Sequence, residues 1–287
     1  MAVDNTRYDV PFRAPALPYP PQMYDAQSFE EFNNILRIYF NQLDNALRNA
    51  MAVQEPYELQ VSKGQVVGAS TLNVFGFNTA VGTTFISPWE LAASTQYVFP
   101  SSAVVMALVS SSASDTAVQV LVNGLDADYV AISETITLNG TVAVNTTKSY
   151  LRINSAVTVG STNALGNISI TNGGVTYGYI SIGVGRTQMA QYTVPAGSSF
   201  YLERLNCWSA TSTGASKYLR FRNRVQTSTG VIYDVAQATF SDTPLEVYRD
   251  YPFKYNEKTS IQFQVLSSSG TNEVSVAAEG VLIANSL

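Results

Sequence analysis

The chain has 287 residues, 46% of them apolar and only 13% charged, with a formal net charge of −5 and a mean hydropathy of +0.04. That length carries two modest domains or one domain with an extension, and a charged share about half the usual one leaves neutral Ser, Thr, Asn and Gly surfaces of the kind found in large assemblies. The absence of histidine and the single Cys207 exclude histidine-dependent catalysis, cysteine-based zinc sites and internal disulfides, while the lack of a basic face argues against nucleic acid as a partner.

Residues 1–27 hold Pro11, Pro15, Pro18, Pro20 and Pro21, each of which removes an amide donor and biases its predecessor to extended geometry. The same stretch carries Tyr8, Phe12, Leu17, Tyr19 and Tyr24, more large apolar groups than a free tail normally holds. It reads as an extended arm that docks on a surface of its own or a neighbouring subunit; the alternative is a partly disordered leader. No basic-then-apolar signal pattern is present, and the longest apolar run, 103–109, is far short of the ~20 residues that span a bilayer. Neither secretion nor membrane insertion is expected, and synthesis is expected in the cytoplasm.

An amphipathic helix is predicted over 28–54. Ser28 with Glu31 three residues on is the capping-box pattern, and Pro56 forces the end. Apolar residues fall at Phe29, Phe32, Leu36, Tyr39, Leu43, Ala46 and Ala50, an unbroken alternation of three- and four-residue steps that defines a heptad seam. Ile35, Ile38, Phe40 and Leu47 widen the stripe beyond a two-stranded seam. Two readings fit: a three-helix bundle between copies, or a helix lying on its own domain.

From Tyr57 the apolar period switches to two. Short β-branched runs such as TAVQVLVNG (116–124), AISETITLNG (131–140) and NISITNGG (167–174) alternate with glycine turns, and Asn139-Gly140 reads as a two-residue hairpin. A second series, from MAQYTVP (189–195) through SFYLERLNCWSA (199–210) to VSVAAEGVLI (274–283), supplies seven more strands at the spacing of a sandwich. SPWELAAS (87–94) is the one weak helical signal. The predicted fold is mainly β: an extended N-terminal arm, one coiled-coil-like helix, then two antiparallel β-sandwich or jelly-roll-like domains over 55–186 and 187–287.

Chemistry-bearing motifs are sparse. Asp126 and Asp128 supply only a fragment of a calcium loop, and an Asx turn is the simpler reading. GVGRTQ (183–188) lacks the lysine and third glycine of a phosphate loop and reads as a linker. In KYLRFRNR, strand alternation puts Arg220, Arg222 and Arg224 on one face, either as a patch for an acidic partner or paired across strands with Glu203, Asp234, Glu246 or Glu279. No two carboxylates stand out as a hydrolytic pair. Many of the 17 tyrosines fall on apolar strand faces, which leaves sugar binding open as a secondary role. No catalytic, cofactor-binding or metal-binding residue is assigned, and no cofactor is expected.

Three stretches carry a resemblance: YDVPFRAPALPYPPQMYDAQSFEEFNNILRIYFNQLDNAL, GLDADYVAISETITLNGTVAVNTTKSYLRINSAVTVGSTNALGNI, and MAQYTVPAGSSFYLERL with the terminal EKTSIQFQV and VSVAAEGVLI. Together the chain resembles virion structural proteins of tailed bacteriophages, particularly those of marine and freshwater cyanobacteria. The resemblance implies a non-enzymatic building block located in the virion, with an anchoring arm, a trimerising helix and outward sandwiches. Its partners would be further copies of itself and other virion proteins of tail, neck or capsid, with host surface glycan as an additional candidate. A homotrimeric fibre-like appendage of tail or neck is the leading expectation. A capsid decoration protein, a carbohydrate-binding receptor module and a glycan hydrolase are the alternatives.

Overall fold

The computed structural model describes residues 25–52, 56–91, 96–210, 217–241 and 243–286, without the side chains of 46 and 48–52. The arm residues Tyr8, Phe12, Leu17, Tyr19 and Tyr24 lie outside the described residues. The chain divides into two units, Met1–Gln60 and Val61–Leu287.

In the first unit, helix α1 spans Ala26–Ala52. Its cap is Asp25 rather than Ser28, because a carboxylate three residues upstream satisfies the orphan amides first. Gln27 N and Ser28 N donate to the Asp25 carboxylate at 3.2 and 3.3 Å, and Phe29 N donates to the Asp25 carbonyl at 3.2 Å. Ser28 contributes its hydroxyl to that same carboxylate at 2.8 Å. After Pro56 a short helix α2, Tyr57–Ser62, precedes the first strand, where alternation alone suggested none.

Among the described residues, fifteen strands follow in antiparallel sheets. In chain order they are β1 (Ala69–Val81), β2 (Val104–Ser110), β3 (Gln119–Leu125), β4 (Ala131–Thr137), β5 (Val144–Tyr150), β6 (Arg152–Val159), β7 (Ile168–Asn172) and β8 (Val175–Ile180). The second series is β9 (Gln191–Thr193), β10 (Ser198–Ser209), β11 (Leu219–Gln226), β12 (Ile232–Phe240), β13 (Leu245–Tyr255), β14 (Ser260–Ser267) and β15 (Asn272–Ala284). Burial alternates along them as the sequence pattern requires: Leu219 and Phe221 point inward from β11, and Arg220 points out.

The sheet orders are β1-β15-β10-β13 facing β12-β11-β14-β9, and β5-β2-β7-β8 facing β4-β3-β6. Numbering the eight strands of the first pair by chain order gives 1-8-3-6 over 5-4-7-2, the arrangement of a jelly roll. Its core is built on Phe200, Phe221 and Phe263, all fully buried. In the second pair β2–β7 repeat the positions of β10–β15, and β8 fills the place that β1 holds in the first. That core holds Trp89, Met106, Leu108 and Tyr150.

The C-terminal jelly roll therefore takes its first strand, β1, from the far side of the other roll, whose strands β2–β8 are contiguous in the chain. Strand β1 pairs along its length with β15, some 200 residues away (Ala69 opposite Ile283, Asn78 opposite Val274). The expected first sandwich of 55–186 is corrected accordingly: residues 69–86 belong to the core of the C-terminal roll, because their inward Val74, Val81 and Ile86 pack there. The chain then crosses between rolls at Trp89, which forms an antiparallel bridge with Met189 instead of opening a helix.

Two close approaches require glycine. Gly280 faces a bulge at Leu202/Arg204 of β10, and a Cβ there would sit 1.9 Å from the Tyr201 carbonyl oxygen. Gly140, at φ 60°, packs on the Ala113 backbone and makes a tight Asn139–Val142 turn. That turn is a corner and not a hairpin: β4 and β5 lie in facing sheets, since Gly140 N donates to Asp115 O and its carbonyl accepts from Ser110 N.

Candidate interaction surfaces

Helix α1 carries the predicted heptad seam, and none of its described side chains is buried. Phe32, Leu36, Tyr39 and Leu43 are half-buried, while Phe29 is 56% exposed. The flanking Ile38 (54%), Phe40 (59%) and Leu47 (50%) extend the apolar stripe, so it is wide as the sequence indicated. The side chains of Ala46 and Ala50 lie outside the description. Among the described residues, no helix is long and apolar enough to cross a membrane.

On β11 the arginine face is largely occupied by its own sheet. Asp234 of β12 takes Arg224 in a forked pair, Nε to Oδ1 at 2.7 Å and the second nitrogen to Oδ2 at 3.2 Å. Arg222 lies 3.9 Å from that carboxylate, donates to Gln264 Oε1 at 2.7 Å and sits 4.0 Å over the Phe85 ring. The Arg224 bond and both positive charges hold the Asp234 carboxyl below the usual range. Arg220 stays exposed, beside the Tyr218 ring at 5.5 Å. Asp234, one of the four carboxylates weighed as partners, is thus in contact with this arginine face.

Edge strands β12 and β13 bear three exposed aromatics, Tyr233, Tyr248 and Tyr251. Between Tyr248, opposite Arg204, and Phe253, opposite Leu202, β13 loops out residues 249–252 and carries Tyr251 at 88% exposure. This bulge and Pro252 interrupt the ladder, which resumes at Phe253, a common way to blunt an edge.

Where β1, β6 and the chain segment 186–192 meet, the two rolls enclose a cleft of about 260 Å³. Thr158 N donates to Gly185 O at 2.8 Å and Thr187 N donates to Ala156 O at 2.8 Å, which fixes Arg186 against β6. Arg186 is exposed, 5.9 Å from the Phe75 ring centroid, and meets no carboxylate within ion-pair distance among the described residues. Gln191 lines the cleft at 2% exposure, and its amide is sealed from solvent beside the buried Tyr97 hydroxyl, which donates to the Tyr177 carbonyl at 3.1 Å. Sequence reading passed over Gln191 and Phe75, and met Arg186 only inside a failed phosphate-loop match.

Asp126 Oδ1 accepts from Asp128 N and Val130 N, both at 2.9 Å, so this carboxylate closes a turn. Tyr129 at φ 66° completes that turn. No group of three metal-ligating side chains occurs among the described residues.

No family model and no curated protein matches the chain. Among solved structures it is weakly similar to the infectious bursal disease virus Gt strain, at TM-score 0.20 and 9% identity over 75% of this chain and 72% of that one. The Gx strain of that virus gives TM-score 0.22 and 9% identity over 76% and 71%. A Bacillus thuringiensis Cry1Da tryptic core variant gives 0.12 and 11% over 91% and 72%. Similarity this weak carries no argument about function, and the class rests on the chain's own topology: a mainly β protein in which an amphipathic helix precedes two antiparallel sandwiches.

Proposed function

We propose that this chain is a non-enzymatic structural component of a virion that self-associates through α1 as a homotrimer and forms a fibre-like appendage of the tail or neck. The observation that carries the reading is the 27-residue helix whose apolar stripe has no buried described side chain. Burying a Leu, Ile or Phe side chain against a partner gains about 1.5–3 kcal/mol each, and a stripe of this width suits two further copies of the same helix. Jelly rolls recur in viral shell and lectin domains, which supports a building or binding role over a catalytic one, although a fold alone does not fix function. The arm, with Tyr8, Phe12, Leu17, Tyr19 and Tyr24, is proposed to dock into a neighbouring virion protein.

A capsid decoration protein, with the arm laid on the shell, draws on the same helix and arm and differs in copy number per particle. Quantitative gel analysis of purified particles separates the two: a few trimers support the appendage, and hundreds of copies support decoration. Deleting residues 1–27 should leave the sandwiches folded and abolish incorporation into particles; retained incorporation overturns the anchoring role.

A further inference from the structure

We propose that Asn172 is a deamidation site, where the chain turns its own side-chain amide into a carboxylate without an enzyme and thereby loosens the β7–β8 hairpin. Three Asn-Gly pairs occur in the sequence: Asn123-Gly124, Asn139-Gly140 and Asn172-Gly173. The reaction requires the glycine nitrogen to reach the amide carbon of the side chain before it, and glycine permits this because no Cβ stands in the way. The fold closes that route at two of the pairs. Asn123 and Gly124 lie inside β3, the central strand of its sheet, with the Arg152 carbonyl packed against Gly124. Attack there requires β3 to part from both neighbours. Gly140 is buried, and its nitrogen is committed to the Asp115 carbonyl at 2.9 Å.

At Asn172 the route is open. Asn172 pairs with Val175, so Gly173 and Gly174 form a two-residue turn. Their φ angles of 57° and 81° are the signature of a type I′ hairpin, whose first turn residue directs its N–H away from the ladder. Both glycines are exposed, and nothing lies within 4 Å of where a Cβ would stand on either. The Gly173 nitrogen attacks Asn172 Cγ: the N–Cγ bond forms, the Cγ–Nδ2 bond breaks, and Nδ2 leaves as ammonia with the proton of the Gly173 amide. Water then adds to either carbonyl of the succinimide and opens it to aspartate or isoaspartate. Asn172 Nδ2 donates to the Val105 carbonyl of β2 at 2.9 Å, so its departure removes a tie between the turn and the neighbouring strand. The new carboxylate faces that carbonyl with no donor, and the isoaspartate form also adds a backbone carbon where β7 enters the turn.

The test is peptide mass spectrometry of the full chain held in mildly alkaline buffer, once folded and once unfolded in urea. In the folded chain Asn172 should convert at least about tenfold faster than Asn123 or Asn139, since each of those waits for a local opening of the fold. In urea the three should convert at similar rates. Equal rates at the three sites of the folded chain, or conversion of Asn172 in urea alone, overturns the proposal. The consequence is read in Asn172→Asp, which carries the charge of the product. Hydrogen exchange at the amides of β8, Val175–Ile180, should quicken by about tenfold while β3 stays unchanged; unchanged exchange in β8 overturns the loosening. None of these outcomes bears on self-association through α1.

Discussion

Trp89 and Met189 face each other as an antiparallel bridge at the point where the chain crosses between the jelly rolls, first outward from β1 and a hundred residues later back toward β9. Both side chains are buried, at 1% and 4% exposure. Just before Trp89, Ile86 pairs with Val265 of β14; just before Met189, Arg186 pairs with Val157 of β6. Each crossing segment thus begins on one roll and ends on the other, and the C-terminal roll is complete only with β1 from before the first crossing.

The two rolls are therefore expected to unfold as one unit. Trp89→Ala removes a large buried side chain and should cost about 3–5 kcal/mol. In that variant the remaining tryptophan is Trp208, on β10 of the C-terminal roll, so its fluorescence reads that roll alone. Its urea midpoint should fall together with that of the circular dichroism signal. An unchanged Trp208 midpoint would mean the rolls are independent.

Arg152 is a second tie between them. Its Nε donates to Ser260 Oγ at 3.1 Å on β14, and one terminal nitrogen donates to the carbonyls of Pro100 and Leu151 at 3.1 and 2.8 Å. The guanidinium lies 4.6 Å from the Phe99 ring and 5.6 Å from Tyr129. Arg152→Ala strands those acceptors and should cost about 3 kcal/mol in urea denaturation. Arg152→Lys should recover less than half, since one ammonium cannot reach both strand β14 and the 100–101 turn. A loss below about 1 kcal/mol in the alanine variant would remove this residue from the account.

Acid should destabilise the fold through Asp115, Glu134 and Asp234. Burial alone would raise Asp115, but bonds from Ser110 Oγ (2.5 Å), Leu165 N (2.9 Å) and Gly166 N (3.1 Å) hold it below the usual range. Glu134 is lowered in the same way, against a burial penalty, by Thr147 and Lys148, and Asp234 by Arg224. With folded values below the unfolded ~3.9 for Asp and ~4.3 for Glu, the unfolded chain binds more protons in the window between them. Their contribution is present above about pH 5 and is lost as pH falls through the folded values. Melting temperature should be nearly flat from pH 7 to 5.5 and drop below about pH 4. Asp115→Asn should lower stability at neutral pH and flatten that drop; an equally steep drop in the variant would assign the acid sensitivity elsewhere.

Local patterns were readable where local physics decides. Alternation gave the inward Leu219 and Phe221 of β11, and Asp126 closes a turn as its spacing indicated. The helix cap moved from Ser28 to Asp25 because either residue type can serve, and the geometry of the amides chose between them. The pairing of β1 with β15 left no local trace, since a register joining residues 69 and 283 depends on long-range packing and not on periodicity. One signal of the duplicated architecture was present: Gln96–Tyr97 with Pro100 and Ser101–Ser102 echoes Gln191–Tyr192 with Pro195 and Ser198–Ser199, each entering the strand that follows. The echo is too short to identify a repeat unaided. The cleft was invisible for the same reason, because Phe75, Arg186 and Gln191 come from both sides of the crossing.

Self-association through α1 is the central claim, and the solution mass of the purified chain tests it most directly. Light scattering coupled to size exclusion should give three times the 31.0 kDa chain mass for the wild type, and a single chain for Leu36→Asp combined with Leu43→Asp, with unchanged strand content by circular dichroism. A wild-type mass of one chain, or an oligomer that survives both aspartates, would contradict it.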